Sequence, residues 1–255
     1  MKIGIIGAGS IGFNLAKKLA PNHSIVISAS KLSDELKRKV ASINVTAVDI
    51  KDVVKNVDVV ILSIPTKIIP ELPKDLFNDV PDNVIIVDTS NYYPFRDGHI
   101  LELDEGKIES VWVSEQLGRP VVKAFNNLLA HTLVQGGTPN GTPGRIAISI
   151  AGDNDEPKLV ISNLIDELGF DTVDTGKLEE SWRQQPGTPA YCTELNKVEL
   201  KDALTIANKA NAPQLRDQVM EYLIEKQFNL SHEEIVENNR LIYSKAPPPG
   251  LSKSS

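Results

Sequence analysis

Residues 7 to 12 read Gly7-Ala8-Gly9-Ser10-Ile11-Gly12, directly after the β-branched run Lys2-Ile3-Gly4-Ile5-Ile6 and before an apolar-periodic stretch from Ile11 to Leu19. A G-x-G-x-x-G set between a strand and a helix restricts the fold more than any other feature of the chain. Gly7 permits a tight turn, Gly9 lets the backbone approach a pyrophosphate, and Gly12 lets the helix pack closely on the sheet. The helix start then presents free N–H groups and a positive dipole end to phosphate. Gly7, Ala8, Gly9, Ser10, Ile11 and Gly12 are therefore expected to bind a dinucleotide, in the first unit of a parallel sheet.

Short β-branched runs alternate with longer helical patterns through most of the chain, the mark of βαβ construction. The expected strands are Ile3 to Ile6, Ser24 to Ser28, Asn44 to Val48, Val57 to Leu62, Asn83 to Val87, Pro120 to Ala124, Arg145 to Ala151 and Phe170 to Asp174. The expected class is α/β: a Rossmann, doubly wound, mostly parallel sheet of about eight strands with a helical C-terminal extension. Residues 1–195 read as the nucleotide-binding domain, 196–244 as the extension, and 245–255 (KAPPPGLSKSS) as a disordered tail short of apolar content. Two Gly/Pro-dense stretches, Gln135 to Arg145 and Gln184 to Ala190, read either as surface connections or as walls of a ligand cleft.

Charge and cysteine usage exclude several classes. A net charge of −7, with Lys and Arg scattered, gives no footprint for nucleic acid or an anionic membrane. Cys192 is the only cysteine, so no internal disulfide and no cysteine zinc site is expected, and no other metal site is suggested. The first strand begins without the basic and apolar segments of a signal peptide, and no apolar run approaches the ~20 residues of a membrane span. A cytoplasmic protein is expected.

The end of the second strand selects the dinucleotide. NAD enzymes commonly place an acid there to bond the ribose hydroxyls. Here the residues are Ser28-Ala29-Ser30-Lys31. A hydroxyl and an ammonium suit a 2′-phosphate, so Ser30 and Lys31 favour NADP(H), with Lys37 or Arg38 as helpers. A charge-assisted bond contributes roughly 1.5–3 kcal/mol, about 10- to 100-fold in preference. Ser63, Ile64 and Pro65, at the carboxyl end of the fourth strand, are expected beside the ribose and nicotinamide.

Several further segments stand together: Asp88-Thr89-Ser90-Asn91-Tyr92-Tyr93-Pro94, Arg96-Asp97-Gly98, Val121-Val122-Lys123-Ala124-Phe125-Asn126-Asn127, Ala151-Gly152-Asp153, and Ser181-Trp182-Arg183-Gln184-Gln185-Pro186-Gly187-Thr188-Pro189. In these the chain resembles the bacterial dinucleotide-binding proteins related to coenzyme F420 (deazaflavin)-dependent NADP oxidoreductase, whose Rossmann domain also occurs in the Steap metalloreductases. The resemblance spans about residues 1 to 195. It implies a nicotinamide over the carboxyl ends of the strands, a flat redox partner stacked against it, and Val122 with Ala124 as the nearby wall. The chain departs from the archaeal deazaflavin enzymes in its added helical segment and in Lys31, where Arg is usual.

The expected function is thus NADP(H)-dependent oxidoreduction, with a hydride passing between the nicotinamide and a flavin, a deazaflavin or a small carbonyl compound. Transfer between two ring cofactors asks little of side chains beyond alignment. A carbonyl would need a proton donor, and His131 is the candidate by type and place. Arg183 beside Trp182 offers cation and ring surface to an anionic aromatic ligand. The alternative is a non-catalytic redox sensor that holds NADP(H) and reports through its C-terminal helices; those helices also suggest a homodimer.

Overall fold

The computed structural model describes residues 1–243, so the tail expected at 245–255 lies outside the described residues. The elements run β1 (Lys2–Ile6), α1 (Ser10–Leu19), β2 (Ser24–Ser28), α2 (Asp34–Ala41), β3 (Val45–Ala47), β4 (Val59–Leu62), a 3-10 turn (Thr66–Glu71) and β5 (Ile85–Asp88). Then come α3 (Pro94–Asp97), α4 (Leu101–Asp104), α5 (Glu109–Leu117), β6 (Val122–Lys123), α6 (Ala130–Gln135), β7 (Ala147–Ile150), α7 (Asp155–Glu167) and β8 (Asp171–Asp174). A second 3-10 segment (Leu178–Gln184) leads to α8 (Lys197–Ile206), α9 (Ala212–Glu225) and α10 (His232–Tyr243).

Strands β1 to β6 form one parallel sheet in the order β3-β2-β1-β4-β5-β6. That is the Rossmann order, and the reversal between β1 and β4 opens a crevice at their carboxyl ends. All four residues of β4 are buried, as a central parallel strand covered on both faces requires. One face is covered by α1, α2, α6 and α7 through Leu15, Leu19, Val40, Leu133, Ile161 and Leu164. The other is covered by Val53, Leu76, Phe77, Trp112 and Val113. Local chemistry sets the helix starts: the Ser33 side chain accepts from Leu36 N–H, and Asn196 with Glu199 forms a reciprocal capping box at α8.

Each expected strand exists, but not in one sheet of about eight. β7 and β8 form a separate parallel pair, joined to β6 by an antiparallel bridge in which Lys123 and Ala151 exchange N–H···O bonds of 2.8 and 3.1 Å. The break follows from the shortness of β6. Pro120 just before it lacks a donor, and Phe125 just after it turns out of the strand at φ +60°.

The stretch Gln184 to Ala190 is not a surface connection. Gln184, Thr188 and Ala190 are all buried: Gln184 bonds Asn126 and Ser149 O, and Ala190 packs against α8. Gly187, at φ +90°, sits so close beneath α9 that a Cβ there would stand 1.9 Å from the Ala212 carbonyl oxygen. Helix α8 packs on β7 and β8 through Leu200, Ala203 and Leu204, whereas α9 and α10 pack on each other and around Tyr191, Cys192, Val219 and Tyr243.

Candidate functional site

The three glycines of the first turn divide their work as their positions demand. Gly7 has φ +113°, donates its N–H to Ser28 O at 2.8 Å, and lies where a Cβ would stand 2.0 Å from Ser63 O. A Cβ on Gly12 would stand 2.1 Å from Gly7 O. These two permit the turn and the tight seating of α1 between the ends of β1 and β4. Gly9 differs: its φ of −72° is open to any residue, and a Cβ there would meet nothing within 4 Å. Helix α1 begins at Gly9 without a side-chain cap and without an acid in its first turn, so its N–H groups face that open space uncontested. The vacant shell at Gly9 fits a pyrophosphate.

At the end of β2, Ser28 is buried and its carbonyl is taken by Gly7, while Ser30 and Lys31 are exposed beside the crevice. Among the described residues no hydrogen bond or ion pair involves either side chain. Lys37 pairs with Asp34 at 3.6 Å on the outer face; the cation beside the turn is Lys39, whose Nζ lies 4.1 Å from the Phe13 ring centroid. Ser63 donates its N–H to Ile6 O and backs onto Gly7, with Ile64 beside it and Pro65 exposed at the start of the 3-10 turn. The β4 end thus lies against the first turn.

Val122 and Ala124 do not form a wall by their side chains. They are 4% and 0% exposed, because β6 turns both into the core. The carboxyl ends of β5 and β6 carry a buried polar network. Lys123 Nζ bonds Asp88 Oδ2 at 3.1 Å and Ser90 O, and Ser110 donates to the same Asp88 oxygen at 2.7 Å. Asn126 donates to Asn91 Oδ1 at 3.0 Å and to Gln184 O at 2.8 Å, and accepts from Gln184 Nε2 at 2.9 Å. Close by, Glu109 accepts from Tyr92 N–H, and burial pushes its carboxyl up to about 7 against the pull of Lys123 and Arg216. The quoted D-T-S-N and K-A-F-N-N runs were the signal for this cluster; their partnership was not.

His131, at the start of α6, is exposed and stacks on His232 of α10, with ring centroids 4.2 Å apart. It shares a cleft of about 560 Å³ with Ala8, Gly9, Ser10 and Lys39. His131 therefore lies beside the glycine-rich turn. Arg183 does stack on Trp182 at 4.4 Å, but it also bonds Glu180 and Leu204 O and borders an open cleft of about 750 Å³ between β8 and α8. A third cleft, of about 590 Å³, lies at the amino ends of the strands, around Asp58, Asn83 and Pro120, the wrong edge for a Rossmann ligand. Among the described residues no group of three or more His, Cys, Asp or Glu could hold a metal, and no helix is long and apolar enough to cross a membrane.

Strand order, turn geometry and the open shell at Gly9 together define a dinucleotide-binding Rossmann protein. Within that class, residues 2–92 match the family described as NADP oxidoreductase, coenzyme F420-dependent. The chain is 33% identical over 124 residues to the protein YjhV of Escherichia coli, covering 49% of this chain and 83% of that one. It is 27% identical over 196 residues to the F420-dependent NADP reductase of Methanocaldococcus jannaschii, covering 71% of this chain and 86% of that enzyme. A crystal structure of a hypothetical protein from Sinorhizobium meliloti superposes with a TM-score of 0.64 at 32% identity, covering 77% of this chain and 96% of that one. The chain belongs to the F420-dependent NADP oxidoreductase-like family of Rossmann proteins.

Proposed function

We propose that this protein is an NADP(H)-dependent oxidoreductase that moves a hydride between the nicotinamide and a small-molecule redox partner. The observation that carries the reading is the contrast at the turn: Gly7 and Gly12 are forced by backbone contacts, whereas Gly9 is free of contact on the side where a phosphate would lie. In this reading residues 1–195 supply the cofactor site and the helices α8 to α10 cover its flank. Gly7 to Gly12 hold the pyrophosphate, with the α1 N–H groups aimed at it. Ser30 and Lys31 hold the 2′-phosphate, and Ser63, Ile64 and Pro65 border the ribose–nicotinamide half.

Bound NADP(H) would supply the hydride chemistry; the chain binds, orients and excludes water. At the ends of β5 and β6 Lys123 is held by Asp88, and Asn126 by Asn91 and Gln184, while His131 lies beside the glycine-rich turn. That arrangement favours a flavin or deazaflavin, which exchanges hydride by alignment, over a carbonyl that needs a proton. The name of the Methanocaldococcus jannaschii relative supports the same preference.

One contact favours a second reading, a non-catalytic NADP(H) sensor. His232 of α10 reaches the cleft through His131, so the C-terminal helices touch the cofactor side directly. Titration with NADPH and with NADH, followed by nicotinamide fluorescence, tests the binding; FMN, FAD, a deazaflavin and ferric chelates are then added while absorbance near about 340 nm is followed. The expected result is a preference for NADPH of about 10- to 100-fold, reduced in Lys31→Ala, and oxidation by one of the acceptors. Binding without turnover would favour the sensor, and failure to bind either nucleotide would reject both readings.

A further inference from the structure

We infer that the cleft between β8 and α8 is a binding site for a small polyanion, one that carries several phosphate or carboxylate groups, and that it is separate from the glycine-rich turn. The cleft has a volume of about 750 Å³ and shares no residue with the cleft that holds Ala8, Gly9 and Ser10. A space of that size is in the range of small-molecule sites. Three cationic side chains border it: Arg183 from the second 3-10 segment, and Lys197 and Lys201 from α8. A cleft lined by one sign of charge concentrates ligands of the other.

The two lysines stand where α8 itself disfavours them. Lys197 is the first residue of the helix, at the positive end of its dipole, and Lys201 follows one turn later on the same face, where like charges repel. Leu200, Ala203 and Leu204 pack inward on β7 and β8 and so fix the side of α8 that the lysines occupy. Both lysines are exposed, and among the described residues neither makes a hydrogen bond or an ion pair. Helix stability does not account for the pair; an anion between them does. The nearby acids are already engaged. Asp174, the one acid bordering the cleft, accepts from Lys158 at 2.8 Å and from the Gly176 N–H. Glu180 is held by Arg183 Nε at 2.7 Å, and Glu199 by the Asn196 N–H. Positive charge therefore remains in this cleft of a chain whose net charge is −7. Arg183 is set in place: its guanidinium stacks on Trp182 at 4.4 Å, and Nη1 donates to Leu204 O at 3.1 Å. β8 adds backbone donors. It is the outer strand of its pair; Asp171 and Thr175 donate to β7, at Ile146 O and Ile150 O, so by the alternation of a parallel ladder Thr172 and Asp174 turn their N–H groups to the free edge, and both border the cleft. Ammonium, guanidinium and edge N–H groups are all donors, and a ligand rich in charged acceptor oxygens matches them.

The test titrates the full chain with inorganic tripolyphosphate and, separately, with citrate by isothermal calorimetry at about 0.1 M salt, where exposed charges still act over a cleft's width. Saturable binding of at least one is expected; tripolyphosphate alone assigns the site to phosphate chains, citrate alone to polycarboxylates, and either supports the inference. Lys197→Gln combined with Lys201→Gln is expected to weaken that binding about tenfold or more without lowering the thermal midpoint, because each lysine is unfavourable to its helix. Two controls are expected to bind as the wild type does: Gly9→Val, altered at the first turn, and Lys55→Gln combined with Lys74→Gln, which removes the same charge from another part of the chain. If neither anion saturates, if the control lysine pair weakens binding as much as the cleft pair, or if the loss appears in Gly9→Val and not in the cleft pair, the inference fails. The cofactor reading is untouched by any of these results, since NADPH binding is measured apart.

Discussion

At the scale of single residues, the structure separates groups that hold the fold from groups that leave room. Gly7→Ala places a Cβ against Ser63 O at a backbone angle reserved for glycine, and is expected to lower stability by about 2–4 kcal/mol. Gly9→Val is expected to cost much less stability than Gly7→Ala, about 0.5–1 kcal/mol for the poorer N-cap, and to weaken NADPH binding at least about tenfold, since its side chain would fill the proposed phosphate position. Thermal melts and nicotinamide fluorescence on the pair read both effects. Glu109 gives a pH signature. Its carboxyl keeps its proton up to about 7 in the folded chain, because burial opposes charge, against 4.5 as the ordinary value. Between those two pH values the folded state binds more protons than the unfolded one, so stability falls as pH rises, by on the order of 3 kcal/mol in all. Glu109→Gln keeps an acceptor for Tyr92 N–H and is expected to flatten this slope, as urea unfolding at about pH 5 and about pH 8 would show.

Among the elements, β6 carries the most consequence for its length. It sets Lys123 against Asp88, with both side chains 0% exposed. Lys123→Met would leave a buried carboxylate with only Ser110 and the Ser90 N–H, and is expected to reduce stability by about 3–5 kcal/mol. Adding Asp88→Asn should return part of that loss in chemical denaturation. The strands were legible from period and composition, since parallel strands buried on both faces read as apolar runs. Their division into two sheets was not, because it depends on where one short strand stops pairing. The glycine-rich turn was legible for the same local reason, as six consecutive residues specify it. The network at the ends of β5 and β6 was not, because its partners are brought together only by the fold: Asp88 and Lys123 are 35 positions apart, and Asn126 and Gln184 are 58 apart. His131 was chosen by residue type, yet its neighbour His232 comes from the last described helix, which no local pattern could have placed there.

Across the whole molecule, the C-terminal helices close over a segment that would otherwise be exposed. Cys192 is 2% exposed beneath α10, burial pushes its thiol up to about 12, and its carbonyl accepts from Asn239 Nδ2. It should react with a thiol reagent only when the helix lifts. Asn239→Ala is expected to raise that labelling rate about fivefold or more and to lower global stability by about 1–2 kcal/mol, with the thiol reporting helix opening. The order of the sheet has a further consequence for the chain as it is made. β1 pairs with β2 early, but its other neighbour, β4, is completed only at Leu62, and Ser63 is the residue against which Gly7 and Gly12 are seated. During synthesis, at about 5–20 residues per second, the first βαβ unit must wait several seconds with one strand edge bare. A nascent chain that stops short of Ser63 therefore has the complete glycine-rich motif in its sequence and not the backbone on which Gly7 and Gly12 are seated, so the native turn can close only after that residue has left the exit tunnel.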